Sequence, residues 1–402
     1  MLPKRFMVRV CKIWDSDYPW DVRVEKICDS LTGAGHEVHL VCRNTKGRKR
    51  YEYSNGIHIH RLPAFRFLGS LLSFPFFLNP VWLFNIFRVV KDNKIDLLIV
   101  RDLPMALAAI IIGKMKGVPI VLDMAECYPE LIKAVWKFEP FKLQNVVVRN
   151  PLLGEIIEKL TLSATDHVFV VVEESRKRLI QKGVLPSKIT IVSNTPVMQR
   201  FTNANATFPG LLASHKGKLI LLYVGFLNFP RGVDTVVKAM REFVSMNDQV
   251  YLLLIGTGTA EKYLKDLVLN LNLEKYIGFG GWIENKYIPE YVASSDICIV
   301  PHYKCGHWNN TIPNKLFDYM ATGKPVLVSD VPPMKRIVED ANCGLVYEDT
   351  NSHSLASKLL SLQDPELRRK LGLNGTAAVK TQYNWDKDAT RLIDSLTVFG
   401  SS

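Results

Sequence analysis

Paired cysteines are the first thing this sequence lacks. It has seven, an odd number, and none stands in a CxxC. Cys11, Cys42 and Cys298 sit in apolar runs, which predicts buried free thiols and a reducing compartment. A secretory leader is not expected either, because MLPKRFMVRVCKIW has no long apolar core. Uninterrupted hydrophobic stretches of spanning length are also scarce. Phe67 to Phe87 (FLGSLLSFPFFLNPVWLFNIF) carries no charge and is bracketed by Arg66 and Arg88, but Pro75, Asn79 and Pro80 break it. The expectation is a loop and helix lying in a membrane interface with Trp82 and the phenylalanines immersed; the alternative is a core helix behind an aromatic loop. No repeat of solenoid period occurs, and no compositional bias points to disorder. A Ser-His-Asp set cannot be recognised from residue order alone.

What is present is a chain of 402 residues, 48% hydrophobic, enough for two domains with full cores. The formal charge is +12, and nearly all of the excess lies in residues 1–200. A basic first half beside a neutral second half predicts an anionic partner for the first half. An anionic membrane surface fits better than nucleic acid, for which no recognition element is visible. The densest basic run is KGRKR, Lys46 to Arg50, which also reads as an ordinary solvated loop.

Strand and helix signals alternate along the first half. FMVRVCKIW, EVHLVCRN, GIHIHRLPAF, IDLLIVRD, VPIVLDMAE, ATDHVFVVVEE and KITIVSN read as strands, with helices such as VRVEKICDSLTGAGH and LPMALAAIIIGKMKG between them. A stretch without period, TPVMQRFTNANATFPGLLASHKGK, reads as a linker. Then LILLYVGFL, QVYLLLIGTG, YIGFGGWI, DICIVPHY and KPVLVSD continue the alternation. This is an α/β chain with two doubly wound, Rossmann-like domains, expected at 1–195 and 196–383, facing a central cleft. In such sheets ligands bind at the C-terminal strand ends.

Three loops of the second domain have the chemistry of a phosphate site. In YVGFLNFPRGVDTV, Gly225 lets a phosphate approach the backbone and Arg231 can neutralise it. In LLLIGTGTAEKYL, Gly256 and Gly258 lie between strand and helix; Glu261 occupies the place of the third glycine of a dinucleotide fingerprint, which argues against a dehydrogenase. In HWNNTIPNKLFDYMATGKPV, Pro313 or Asn314 opens a helix carrying Lys315 at its start and Asp318 one turn later. Lysine and free amides suit a phosphate, and a carboxylate suits sugar hydroxyls. Phe226, Trp282, Thr311 and Asn314 complete the expected donor-site set. In the first domain, VLDMAECYPE places Asp123 and Glu126 after a strand, where they could share a helical face and orient or deprotonate an acceptor hydroxyl; the bland alternative is a helix cap and a surface glutamate. Asp15 with Asp17, placed in the loop after the first strand, and His302 with Cys305 and His307 have metal-like spacing but lack a convincing ligand set. His58 and His60 alternate on a strand and read as one face of the sheet.

TIPNKLFDYMATGKPVLVSD, GFLNFPRGVDTVVKAM, LIGTG and GHEVHLV together resemble the family-4 retaining glycosyltransferases of the GT-B fold. DLPMAL and VLDMAECYPE are similar to a branch found in bacterial surface-polysaccharide clusters. The resemblance implies sugar transfer from a nucleotide sugar with retention, no metal and no cofactor beyond the donor substrate. It also implies a C-terminal helix, 384–402, returning to the first domain. Asp318 stands where the family usually has the ribose-binding glutamate, and Asn310 where it has a second glutamate. Phe226 replaces an arginine and Arg231 a lysine, while Ala125 lies near the place of a histidine. On this reading Arg231 and Lys315 stabilise the departing diphosphate. The acceptor is expected on a lipid carrier, at the cytoplasmic face of the plasma membrane. Two alternatives stay open: a UDP-sugar 2-epimerase of the same architecture, and a non-catalytic transferase-like subunit.

Overall fold

The structure, a computed structural model, describes residues 7–19, 21–64, 73–75, 77–138, 149–201 and 206–399. It divides into two compact units. The first gathers Met1–Lys133, Phe141–Ser193 and Asp388–Ser402; the second gathers Ala134–Pro140 and Asn194–Lys387.

The first unit is built on strands β1 (Arg9–Asp17), β2 (Glu37–Arg43), β3 (Tyr51–Ser54), β4 (Ile57–Arg61), β5 (Leu97–Arg101), β6 (Ile120–Met124), β7 (His167–Val170) and β8 (Ile189–Ile191). They form one eight-stranded sheet in the order β3-β4-β2-β1-β5-β6-β7-β8. All neighbours are parallel except β3 and β4. The order reverses at β1, which is the signature of a doubly wound sheet. Central strands such as Leu97–Arg101 are apolar almost throughout because helices cover both faces. The core on one side joins Ile13, Val100 and Leu122 to Trp82, Ile86 and Ala109 from the helices Pro80–Asp92 and Ala106–Lys116.

The edge strand β3 was not anticipated. It joins β4 through Asn55-Gly56, both at positive φ (52° and 80°), the two-residue turn that Asn-Gly favours. Asp15 and Asp17 are also not in a loop: β1 runs through Asp17.

The second unit holds β9 (Leu219–Val224), β10 (Val250–Ile255), β11 (Ile277–Gly281), β12 (Ile297–Val300), β13 (Val326–Ser329) and β14 (Gly344–Tyr347). Their order is β11-β10-β9-β12-β13-β14, all parallel, so every C-terminal strand end lies on one edge. Packed on the sheet are Val236, Met240 and Phe243 of the helix Val233–Met246 and Leu355 and Leu359 of the helix Ser352–Ser361. The long helix Pro365–Thr381 lies against the helix Asn314–Ala321, where Gly375 allows close approach to Met320.

The expected interfacial segment is corrected in part. Trp82 is fully buried and its indole N–H donates to the Ser73 carbonyl at 3.1 Å, so it belongs to the core. Of the phenylalanines expected beside it, Phe67 and Phe76 lie outside the described residues, while Phe84 is exposed. Among the described residues no helix is long and apolar enough to cross a membrane. Six cysteines are buried and Cys305 is half-buried, all as free thiols.

Candidate active site

At the C-terminal ends of β9 to β12 the second unit sets glycines at positive φ beside two cationic side chains, Arg231 and Lys315. Gly225 follows β9 with φ 138°, and its N–H donates to the Ile255 carbonyl at 2.8 Å. Gly256 follows β10 with φ 135° and donates to the Gly281 carbonyl at 2.7 Å. A Cβ on Gly256 would enter the Gly225 carbonyl oxygen, and one on Gly225 would meet the Lys315 ammonium. Glycine is therefore required for this close stack of two turns and a lysine. Gly258 fits against Leu227 and Asn228, whose Oδ1 accepts from the Thr259 N–H at 3.0 Å.

Lys315 is the second residue of the helix Asn314–Ala321. Pro313 precedes it in extended conformation and no side chain caps the helix. The Lys315 Nζ lies 3.9 Å from the centroid of the Tyr223 ring, is buried and has no hydrogen-bond partner among the described residues. Burial first, then the nearby Arg231 cation, pulls its pKa well below the ordinary lysine range. The chemical complement of such a group is an anion.

Arg231 ends the short turn Phe229–Arg231. Its Nη1 donates to His302 Nε2 at 2.8 Å, and its guanidinium lies 4.4 Å from the Trp308 ring centroid. His302 is fully buried; burial, with Arg231 behind it, keeps the imidazole neutral, well below its usual pKa. That hydrogen bond occupies the lone pair a metal would need, so His302 is a partner of Arg231 rather than a ligand beside Cys305 and His307. Gly232, at φ 65°, then starts the following helix where a Cβ would strike the Pro301 carbonyl.

Asp318 stands one turn beyond Lys315 and is half-buried; Asn314 is exposed and Thr311 is buried. Asn310 donates from Nδ2 to the Gly306 carbonyl at 2.7 Å. Phe226 and Trp282, at the tips of the β9 and β11 loops, are 61% and 72% exposed. The second-unit residues expected from the sequence thus lie along one sheet edge. Tyr223, His302 and Trp308, which build the surroundings of the two cations, went unrecognised as its parts. The signal available for His302 was its position two residues after the β12 run.

In the first unit Asp123 is not where it was expected. It lies inside β6, fully buried, with Lys12 Nζ at 2.5 Å and Arg23 Nη2 at 2.7 Å. Burial alone would raise its pKa, but the Arg23 and Lys12 cations hold the carboxyl well below its usual range. A carboxylate held ionised by two buried cations is a poor proton acceptor. Asp123 and Glu126 share no helical face, because the following helix, Tyr128–Phe138, begins only afterwards. Glu126 is half-buried, and its backbone N–H donates to Asp102 Oδ1 at 2.9 Å. Asp102, at φ 56° directly after β5, was missed; burial pushes its pKa up to about 7. Arg101 links this group to Asp21, the N-cap of the helix Val22–Gly33.

Two family models match the chain. The Glycosyl transferases group 1 model takes in residues 208–378, and the Glycosyl transferase 4-like domain takes in residues 21–195. Together they support a GT-B glycosyltransferase of the family-4 type. The sucrose-phosphate synthase of Thermosynechococcus elongatus superposes with a TM-score of 0.82 at 19% identity, covering 98% of this chain and 100% of that one. HepE of Anabaena, solved in complex with UDP-glucose, gives a TM-score of 0.74 at 14% identity, covering 97% and 99%. These likenesses show the GT-B fold. The alpha-monoglucosyldiacylglycerol synthase of Streptococcus pneumoniae is 20% identical over 337 residues, 82% of this chain and 71% of that protein. Several other curated relatives match over less than half of their own length.

Proposed function

We propose that the protein transfers a sugar from a nucleotide sugar, UDP-linked, to a lipid-linked glycan acceptor with retention of anomeric configuration, in surface-polysaccharide synthesis. One observation carries the reading: the buried Lys315 ammonium, lacking a hydrogen-bond partner among the described residues, lies against the Gly225 backbone with Arg231 as its neighbouring cation. A diphosphate supplies the charge that both cations lack, and it gains charge as the glycosidic bond to the donor breaks. Lys315, Arg231 and the uncapped helix start then stabilise the leaving group. Asp318, on the same helix side as Lys315, takes the ribose hydroxyls. The UDP-glucose complex of HepE, on the same fold, favours a uridine nucleotide. Catalysis here is orientation and leaving-group stabilisation, without a metal and by same-face substitution rather than a covalent intermediate. On the acceptor side Glu126 and Asp102 replace Asp123, whose role becomes holding Lys12 and Arg23.

A lipid-bound acceptor brings the chain to a membrane surface, at the cytoplasmic side. Three helices of the first unit leave apolar side chains in solvent: Phe84 on Pro80–Asp92, Ile111 and Met115 on Ala106–Lys116, and Leu152, Ile156 and Leu160 on Pro151–Ala164. Lys114, Lys116 and Lys159 stand exposed among them. This combination suits an anionic lipid surface.

The test is thermal stabilisation of the purified chain by UDP, GDP, CMP and their sugar conjugates. Ligand at a hundredfold excess over its dissociation constant adds about 2.7 kcal/mol. The expected result is a shift with uridine nucleotides that disappears in Asp318→Ala. No shift with any nucleotide overturns the donor site and favours the non-catalytic subunit.

A further inference from the structure

The outer edge of the first sheet carries a polar cluster that the transfer reaction does not use. Register explains it. In the parallel pair β2/β4, His39 stands opposite His58 and Val41 opposite His60; in the hairpin, Tyr53 stands opposite His58 and Tyr51 opposite His60. Side chains alternate along a strand, so Glu37, His39, His58, His60, Tyr51 and Tyr53 share one face, while Val38, Leu40, Ile57 and Ile59 take the other. The second set is buried apolar core. Three imidazoles side by side on a sheet are expensive as cations and contribute little as apolar packing. What they offer together is lone pairs.

The geometry is close to a ligand set. One atom each from Glu37, His39 and His58 lies within 4.8 Å of the others. His39 is 1% exposed, and its Nε2 is 2.9 Å from Glu37 Oε1. Its other nitrogen, Nδ1, meets His60 Nε2 at 3.0 Å, and His58 Nδ1 meets the Tyr51 hydroxyl at 2.9 Å. These contacts hold the His39 and His58 rings through Nδ1, the kind of outer partner that orients metal-bound histidines. The His39 and His58 rings are stacked, with centroids 4.7 Å apart. Ligand atoms around a tetrahedral zinc stand about 3.3 Å apart, so closing the site takes a turn of the two stacked rings about their Cβ–Cγ bonds, which brings their in-plane lone pairs towards one ion. The nearest basic side chain on β1, Arg9, is committed to Asp96 at 2.8 Å.

We propose that Glu37, His39 and His58 hold a divalent transition metal of the zinc class, with water completing the coordination, and that this ion clips β2 to β4 at the sheet edge. Two imidazoles and one carboxylate are borderline ligands suited to Zn2+, Co2+ or Ni2+ and poorly suited to Mg2+ or Ca2+. The site lies within the first unit and needs no nucleotide, so it stands or falls apart from the transfer reaction.

The experiment is calorimetric titration of Zn2+ into the full chain, stripped of metal and of any polyhistidine tag, with Co2+ absorption as a second readout. One Zn2+ per chain is expected, with the intense visible bands of four-coordinate Co2+. Affinity falls by at least about tenfold in His58→Ala and in Glu37→Gln, and stays unchanged in Cys305→Ser. Glu37→Gln keeps the side chain's size and serves if His58→Ala misfolds. Absence of stoichiometric Zn2+ binding overturns the proposal, and so does affinity that survives both substitutions or is lost with Cys305.

Discussion

At the scale of single residues, the buried side-chain nitrogens of Lys12 and Lys315 have opposite circumstances. Lys12 sits on a carboxylate; Lys315 sits on a ring face and beside another cation. Lys315 therefore costs stability in the absence of ligand. Lys315→Met removes a buried unpaired donor and keeps the shape, so it should stabilise the ligand-free protein by about 1–3 kcal/mol. The same change should abolish the nucleotide-induced shift. Since the folded-state pKa of Lys315 is depressed, the unfolded chain binds a proton that the folded chain does not. Wild-type stability should thus rise relative to Lys315→Met as pH approaches the ordinary lysine value, about 10.4. Asp123→Asn acts in the other direction. It leaves Lys12 and Arg23 buried without their counter-charge and should cost about 3–5 kcal/mol in chemical denaturation. Because the folded pKa of Asp123 is lowered, the wild-type advantage is complete above about pH 4 and shrinks as pH falls towards the folded value. An advantage that persisted undiminished at low pH would contradict the ion cluster.

At the scale of elements, the turns after β9 and β10 decide whether the cations can gather. Gly256→Ala puts a side chain at φ 135° into the Gly225 carbonyl. A cost of about 1–3 kcal/mol is expected, with nucleotide binding lost because the two turns separate. Gly33→Ala is the contrast: a Cβ there meets nothing within 4 Å, so the change should be neutral or stabilise by up to about 1 kcal/mol. Equal effects at the two positions would remove the stacking of the turns as an explanation. The strand and helix pattern was readable from period and turn residues, including the Gly225 and Gly256 turns. The hairpin strand β3 escaped because Tyr-Glu-Tyr-Ser alternates without an apolar face; only Asn55-Gly56 announced it. Trp82 was misplaced for a related reason: an aromatic among apolar neighbours reads alike in a core and in a lipid interface, and the Ser73 carbonyl decides which.

At the scale of the whole molecule, charge and exposed apolar surface occur together in the first unit, on the helices Pro80–Asp92, Ala106–Lys116 and Pro151–Ala164. If these helices rest on lipid, the chain should cosediment with vesicles containing anionic lipid and be released by salt. Leu152→Asp combined with Ile156→Asp should weaken that binding while leaving the uridine-nucleotide shift intact. Binding unaffected by this pair would move the contact elsewhere.

The sequence by itself determined the local events: which runs form strands, where glycine permits a turn, where a helix can start with proline and carry a lysine in its first turn. Period, φ preference and capping act over a few residues, and the family resemblance rests on such short stretches. Only the tertiary structure decided what the charged side chains meet. Asp123 is neutralised by residues 111 and 100 positions away, and Lys315 comes to rest under Gly225 and Tyr223 from a different strand–helix unit. Whether a carboxylate is a base or a buried counter-ion, and whether a lysine is satisfied or waiting for an anion, depends on desolvation and on partners brought in by the sheet order. Neither quantity is a property of the neighbouring sequence.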